Sequence, residues 1–451
     1  MNSTLPLIVE LFIMRTRPRM ASALMLLPQP DSPTSPTVSP GAMAKLTPST
    51  AWTAPSWLSN VTARSVTLSR LSPCADTICI KGFYRTFGKP RRGKYHGRSA
   101  AKETTTRGPT ETMTTIGFAP LDLATRTPFG IARWSHSEFA DFVVTMTDGT
   151  GLTGFGEGAP NARYDETRDG DAAALEALAG ALEGVEGVAA VEAFCAAQHG
   201  FPALRGALSA AAWDLAGKQA GEPVWALLGL EQPTVRTSLT IPIGDPKTML
   251  AQAHAAAGFR ILKVKLGFDG DLDVATRLAH ELPDRRFRYD ANEGWDRERA
   301  ARSLEVLAGL NAELVEQPLP AADLEGQAWL LERSPVQLFG DEALLDLEHL
   351  DDVVELYDGF VVKLAKAGGI AAAAALMTAC RERASRVLLG CMIESSLGIA
   401  AGLHLASLAD YVDLDGFLLL SDDPFTGLPR SGDTLTAPDL PGLGVALVAA
   451  L

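Results

Sequence analysis

Cysteine is scarce in this sequence, with five in 451 residues. Cys74, Cys79, Cys195, Cys380 and Cys391 are scattered, and none forms a CxxC pair or a zinc-type cluster with histidine. An odd number of isolated thiols fits a reducing compartment, where cysteine serves as a small buried hydrophobe. Also missing is an apolar run of about 18–20 residues, so nothing reads as a membrane-spanning helix. Positive charge is in deficit, with 40 lysines and arginines against 54 acids and a net charge of −14. That balance argues against nucleic acid or an acidic membrane surface as a partner. With 47% hydrophobic and 21% charged residues, the composition is that of an ordinary globular protein.

The deficit is uneven along the chain. Residues 1–112 hold 15 basic against 5 acidic side chains and are rich in Ser, Thr and Pro, with no sustained apolar period. Such a segment buries too little surface to offset its ordering entropy. It reads as a disordered or non-native extension, with Met113 as the expected start of the working protein. A transit peptide is the alternative. A secretory signal does not fit, because Arg15, Arg17 and Arg19 follow the apolar run Leu5–Met14 instead of preceding it.

From Met113 onward the pattern becomes regular. Ile116–Leu123, Phe139–Thr147 and Gly151–Gly156 read as short strands, with Asp148-Gly149 as a hairpin turn. Helical spacing follows from about Asp171 to Gly229, as in Leu204, Leu208, Ala211, Ala212 and Leu215. This is an α+β module over residues 113–234. Residues 235–425 alternate strand and helix. The strand candidates are Thr237–Ile243, Ile261–Leu266, Phe287–Asp290, Ala312–Glu316, Gln337–Gly340, Gly359–Leu364, Arg386–Gly390 and Tyr411–Asp415. Eight such units predict a β/α barrel.

Charged residues recur within those units. Lys265, Asp290, Glu316, Asp341 and Lys363 are separated by 25, 26, 25 and 22 residues, about one βα unit each. In a parallel barrel the matching position is the C-terminal end of each strand, where all βα loops open onto one mouth. The short last interval is the mark of a shorter helix or loop. Lys263 and Lys265 are two apart and share a strand face. Three carboxylates suit a hard divalent cation, most simply Mg²⁺, and no His or Cys set favours zinc. Lys363 lies about half the barrel from Lys265, so the two can reach opposite faces of a bound substrate. Desolvation or a neighbouring cation lowers a lysine pKa, and Lys263 and the metal supply that charge. Lys366 reads as a solvated or helix-start lysine and not as a catalyst. Asp413 and Asp415 share a face of the eighth strand and are suited to an ammonium group.

These strings resemble the enolase superfamily in its muconate-lactonizing subgroup, and within it the dipeptide epimerases of the L-Ala-D/L-Glu type. The resemblance rests on Leu262-Lys263-Val264-Lys265-Leu266, Asp290-Ala291-Asn292-Glu293, Leu314-Val315-Glu316-Gln317-Pro318-Leu319, Asp341-Glu342, Val362-Lys363-Leu364, Gly390-Cys391-Met392-Ile393-Glu394 and Asp413-Leu414-Asp415-Gly416. Thr127-Pro128-Phe129 with Ile131-Ala132-Arg133, and Trp213-Asp214-Leu215-Ala216-Gly217-Lys218, resemble the capping domain. The resemblance implies a (β/α)7β barrel under an α+β cap, with residues 426–451 returning to the cap. It implies one Mg²⁺ held by Asp290, Glu316 and Asp341. Lys265 and Lys363 would be the acid–base pair in a 1,1-proton transfer through an enediolate, with Lys263 in support. It further implies that Asp413 and Asp415 bind a dipeptide's α-ammonium and that Arg133 reaches an acidic side chain such as glutamate. A cytoplasmic homo-oligomer is expected, acting in peptidoglycan peptide metabolism. The rivals are o-succinylbenzoate synthase and cycloisomerase, which need no ammonium-binding pair, and a barrel kept only for binding.

Overall fold

The protein's structure is a computed structural model and describes residues 114–448. The expectations for the tail, Met113, Cys74 and Cys79 lie outside the described residues.

The cap opens with a three-stranded antiparallel sheet, β1 (Thr115–Ile131), β2 (Trp134–Thr147) and β3 (Thr153–Gly158), in the order β1-β2-β3. β1 and β2 run well beyond the expected strands. Their pairing continues past an irregularity between Ala124 and Phe129 and ends in a two-residue turn, Ala132-Arg133. Side chains alternate between the two faces of a strand. In β2, Phe142, Val144 and Met146 pack into the cap's own core, while Val143 joins Leu121 and Leu123 in the core shared with the barrel. The Asp148 turn forms as the sequence suggests, with the Gly151 amide donating to the Asp148 carbonyl at 2.9 Å.

Four helices follow: α1 (Arg168–Leu182), α2 (Val188–Ala197), α3 (Pro202–Ala220) and the short α4 (Val224–Leu227). In α3, Pro202 occupies the first turn, where its missing N–H costs nothing. Leu204, Leu208, Ala211, Ala212 and Leu215 are all buried, as their spacing requires. β3 lies against this helix so closely that a Cβ on Gly154 or Gly156 would collide with the Ala211 or Ala207 carbonyl.

A short strand, β4 (Thr234–Arg236), precedes the barrel. The barrel strands are β5 (Leu239–Ile241), β6 (Ile261–Lys265), β7 (Arg286–Asp290), β8 (Ala312–Glu316), β9 (Leu338–Gly340), β10 (Gly359–Val362), β11 (Arg386–Gly390) and β12 (Tyr411–Asp413). All eight expected strands form, pair in parallel and stand in sequence order. The crossover helices are α5 (Pro246–Ala255), α6 (Asp271–Glu281), α7 (Arg297–Ala308), α8 (Leu324–Leu331), α9 (Leu347–Val353), α10 (Leu364–Ala367), α11 (Ile370–Glu382), α12 (Ser396–Leu403) and α13 (Gly416–Leu419). With 7 residues α9 is the shortest helix between β6 and β10, which accounts for the short interval from Asp341 to Lys363. The alanine run 371–375 lies inside α11 and is wholly buried.

The ladder runs from β12 round to β5 and leaves one seam. Side chains close it. Leu414 N–H donates to Thr237 Oγ1 at 2.8 Å, Ser238 Oγ to Asp413 Oδ1 at 2.5 Å, and Thr240 N–H to Asp415 Oδ2 at 2.5 Å. The C-terminal segment then returns to β4 and the cap helices. β13 (Thr434–Thr436) pairs with β4, and Leu443 N–H donates to Asp214 of α3 at 2.8 Å. His404, at the end of α12, accepts the Trp225 amide on Nδ1 at 3.1 Å and lies 3.3 Å by Nε2 from the Leu443 carbonyl.

Candidate active site

Strand geometry alone brings the charged residues together. Asp290 and Glu316 end β7 and β8, Asp341 follows β9, and Lys363 follows β10, so all sit at one end of the barrel. A cavity of about 430 Å³ opens there, its wall including Lys263, Lys265, Asp341, Lys363, Asp413 and Asp415. Asp290 and Glu316 do not line it but lie behind, against the Lys263 and Lys265 ammonium groups. The cap supplies the other wall through Phe129, Ile131, Arg133, Trp134 and Phe139. The hairpin is pinned there by the Ile243 amide, which donates to the Gly130 carbonyl at 2.8 Å, and by the Ser421 amide on the Ala124 carbonyl at 2.8 Å. Phe129 thereby lies over Lys265, with Nζ 5.8 Å from the ring centre.

The lysines and acids at the mouth are paired with one another. Lys263 Nζ lies 3.1 Å from Asp290 Oδ2, 2.9 Å from Glu316 Oε2 and 3.0 Å from Asp413 Oδ2. Lys265 Nζ lies 2.6 Å from Asp290 Oδ2 and donates to Asn292 Oδ1 at 3.1 Å. Lys363 Nζ lies 2.8 Å from Asp341 Oδ2. Burial opposes the charge on Lys263, but Asp413, Glu316 and Asp290 outweigh it and keep the ammonium. Burial likewise opposes ionisation of Asp290 and Asp341. Lys265 and Lys263 hold the first below the usual carboxylate range, and Lys363 and Lys366 hold the second. Glu316 is different: burial and the nearby Asp290 push it up to about 8, despite Lys263.

Do these groups fit a divalent cation? Among the described residues no three acid, His or Cys side chains already stand at ion-binding spacing. The Lys263 ammonium lies between Asp290 and Glu316, which explains that separation. Yet Glu316 Oε2 is buried and accepts no aligned hydrogen bond; its cationic neighbour is the Lys263 ammonium at 2.9 Å, which Asp290 and Asp413 also share. A carboxyl held above neutrality beside two ionised acids marks a site short of positive charge. All three donors are hard oxygens. The residues fit Mg²⁺.

One expectation is corrected. Lys366 stands at a helix start, in α10, but it is buried and not solvated. α10 turns it back beneath the strand ends, where Nζ donates to Asp341 Oδ1 at 2.6 Å and to the carbonyls of Asp341, Leu344 and Val361. An ammonium with one carboxylate and three carbonyls needs no water, and here it buttresses Asp341.

Arg133 sits at the hairpin tip. It donates to the Asn292 carbonyl at 2.7 Å, to Glu293 at 2.8 Å and to Glu342 at 2.8 Å. Arg163, in a 3-10 turn at Ala162–Tyr164, grips the same Glu293 with two nitrogens, each at 3.0 Å. Two cap segments thus fasten to one barrel loop. Asn292, Glu293 and Gln317 all have positive φ, and such strain gathers at functional mouths. Gln317 accepts the amides of Asp341 and Ala343 and so fixes the Asp341 loop. The sequence showed Asn292, Gln317 and Glu342 only as neighbours of the three strand-end acids. Arg163 carried no sequence signal, since its partner lies 130 residues away. Cys195 and Cys380 are buried thiols, and Cys391 lines the cavity.

An eight-stranded parallel β/α barrel with lysines and acids gathered at its mouth, under an α+β cap, defines the class of protein. The chain belongs to the enolase superfamily, in the mandelate racemase and muconate lactonizing group. Residues 114–229 match the mandelate racemase / muconate lactonizing enzyme N-terminal domain, and residues 248–450 match the enolase C-terminal domain-like family. It is 36% identical to the L-Ala-D/L-amino acid epimerase of Pedosphaera parvula, over 73% of this chain and 99% of that one. The substrate-liganded L-Ala-D/L-Glu epimerase from Bacillus subtilis superposes with a TM-score of 0.71 at 28% identity, covering 75% of this chain and 99% of that one. The dipeptide epimerase from Enterococcus faecalis complexed with Mg and L-Leu-L-Tyr does so with a TM-score of 0.71 at 27% identity, covering 74% and 99%. The protein is an isomerase.

Proposed function

We propose that this protein is a Mg²⁺-dependent dipeptide epimerase that inverts the α-carbon of the second residue. The observation that carries the reading is one cavity lined by Lys265 and Lys363 from strands far apart and by an aspartate pair. Lys265 ends β6 and Lys363 follows β10, four strands away in a ladder of eight, and each is paired to a different acid. Lys265 takes the α-proton from one face, and Lys363 returns one to the other; the reverse reaction exchanges their roles. Lys263 adds fixed positive charge between the acids. Asp290, Glu316 and Asp341 hold Mg²⁺, which when bound supplies charge against the substrate's carboxylate as the proton leaves. Asp413 and Asp415 give the cavity its place for the free amino end, which an o-succinylbenzoate synthase or cycloisomerase has no use for.

For the side chain, Arg133 offers a guanidinium at the cavity rim suited to glutamate, as in L-Ala-L-Glu. A second reading is favoured by a specific observation. Arg133 is already held by Glu293 and Glu342, and its neighbours Phe129, Ile131, Trp134 and Phe139 present apolar wall. An apolar second residue suits that wall. The test is a dipeptide library incubated in D₂O with Mg²⁺ and read by mass. Deuterium entering the second residue of acidic dipeptides supports the first reading, entry into apolar ones the second, and none in any dipeptide removes both.

A further inference from the structure

The apolar wall beside Arg133 does not stay apolar to its end. Phe129, Trp134 and Phe139 pack against one another with ring centres 6.1 to 6.4 Å apart, and all three line the cavity. Two residues on from Phe139, on the same face of β2, comes Asp141, which lines the cavity as well. Val143, two further on, is buried in the core shared with the barrel, so this face of β2 looks toward the barrel. Asp141 is 3% exposed, and its Oδ2 has no hydrogen-bond partner. A buried carboxyl left unpaired in this way is costly unless a partner arrives.

The cations of the cap are already taken. Arg133 is held by Glu293 and Glu342. Arg168 lies alongside, but its Nη1 is 2.5 Å from Asp122 Oδ1 and reaches Asp141 at the backbone carbonyl, at 3.3 Å. Among the described residues no lysine or arginine nitrogen comes within ion-pair distance of the Asp141 carboxyl. Its charged surroundings are further acids. Glu157 stands opposite Val143 on β3 and accepts the Ser395 and Gly398 amides at 2.9 Å each, at the N-terminus of α12. Glu394, buried, precedes that helix. Burial and these two acids push Asp141 well above the usual carboxylate range, despite Arg168. Burial and Glu157 push Glu394 up to about 8, despite Lys363. The cap wall therefore ends in a place short of positive charge.

A dipeptide seated as proposed above has its carboxylate end toward the strand-end acids and its amino end toward Asp413 and Asp415, all on the barrel. The cap wall is left for the second side chain. An alkyl stem would cover the three rings, and a cationic head would end at Asp141. Lysine and arginine bury their stems along apolar surface in this manner while the charged head keeps a partner. A glutamate would bring a fourth acid to the cluster, and a leucine would leave Asp141 unpaired.

We propose that Asp141 is a specificity-determining residue that meets the cationic head of the second side chain, so that the substrate is a dipeptide ending in lysine or arginine. The proposal rests on the dipeptide reading for the placement of the two ends.

The experiment measures kcat/KM for α-proton exchange in D₂O with Mg²⁺ on L-Ala-L-Lys and on L-Ala-L-norleucine, which keeps the lysine stem and lacks the ammonium. L-Ala-L-Arg and L-Ala-L-Glu are run alongside, with wild type and Asp141→Asn. The wild type is expected to favour lysine over norleucine about 10–100-fold, the effect of one charge-assisted contact. Asp141→Asn is expected to bring that ratio to about one, by losing activity on lysine and arginine while the norleucine rate holds. A carboxyl that only packed the cap would move both substrates alike. A wild type that exchanges norleucine as well as lysine, or glutamate better than lysine, overturns the proposal with no variant needed, so the decision survives if Asp141→Asn does not fold. An Asp141→Asn enzyme that keeps the lysine preference overturns it too. In each of these cases exchange in some dipeptide leaves the dipeptide reading standing. Exchange in none removes that reading and this proposal with it.

Discussion

Replacing Lys363 with Ala separates the two faces of the reaction. In the proposed mechanism each direction uses one lysine as base and the other as acid. Removing a general acid–base group costs about 10²–10⁴-fold. With no amine on one face, inversion should fall to the upper part of that range or beyond. The structure says that the fold survives. Lys363 shares Asp341 with Lys366, which stays at 2.6 Å with three further acceptors, so the carboxylate is not left unpaired. Breaking a buried ion pair outright costs about 3–5 kcal/mol, and the remaining lysine should hold the loss below that. Lys265→Ala is the mirror case, because Asp290 keeps Lys263 at 3.1 Å. The assay is deuterium uptake at the α-carbon, starting separately from the L,L and L,D dipeptides. Each single mutant should exchange one diastereomer without inverting it, and the two mutants should select opposite ones. If a mutant exchanges both diastereomers, or if both mutants keep the same one, the lysines do not flank the substrate.

Chelation should abolish activity, and Mg²⁺ or Mn²⁺ should restore it, since both prefer oxygen ligands; full activity in chelator contradicts the three-acid site. Burial pushes His404 down to about 4, so the folded protein keeps it neutral while the unfolded chain takes a proton near 6.5. The unfolded state binds more protons in that window, and stability should fall as pH drops from 6.5 to 4, by about 3 kcal/mol from this group. His404→Gln, which can still accept from the Trp225 amide and donate to the Leu443 carbonyl, should flatten that slope in urea titrations. Gly156→Ala should cost about 1–3 kcal/mol or more by driving β3 off α3, seen as a lower Tm.

Much of this architecture was legible because repetition carries it. A charged residue at the end of most apolar runs marked the strand ends, and β6 and β8 lie almost where the pattern put them. The cap hairpin was longer than its pattern. Thr125 to Pro128 breaks the alternation, and the strand resumes only because Ile243 and Ser421 hold it from outside. Lys366 was misjudged because burial of a lysine depends on carbonyls that no local pattern reveals. Arg288, whose Nη1 donates to the Val412 carbonyl at 2.6 Å, was invisible for a similar reason. Arg286-Phe287-Arg288 reads as an ordinary amphipathic strand, and its partners Ser238, Glu313 and Val412 lie 25 to 124 residues away. The seam it braces exists only once the barrel has closed.

The central claim is that one cavity moves a proton at the α-carbon of a dipeptide with a free amino end. α-Proton exchange in D₂O with Mg²⁺, measured side by side on a free-amine dipeptide and its N-acetylated form, tests it most directly. The account predicts one deuterium at the second residue of the free-amine substrate, with both epimers appearing, and far slower exchange of the N-acetylated one. Equal exchange of the two forms would contradict it.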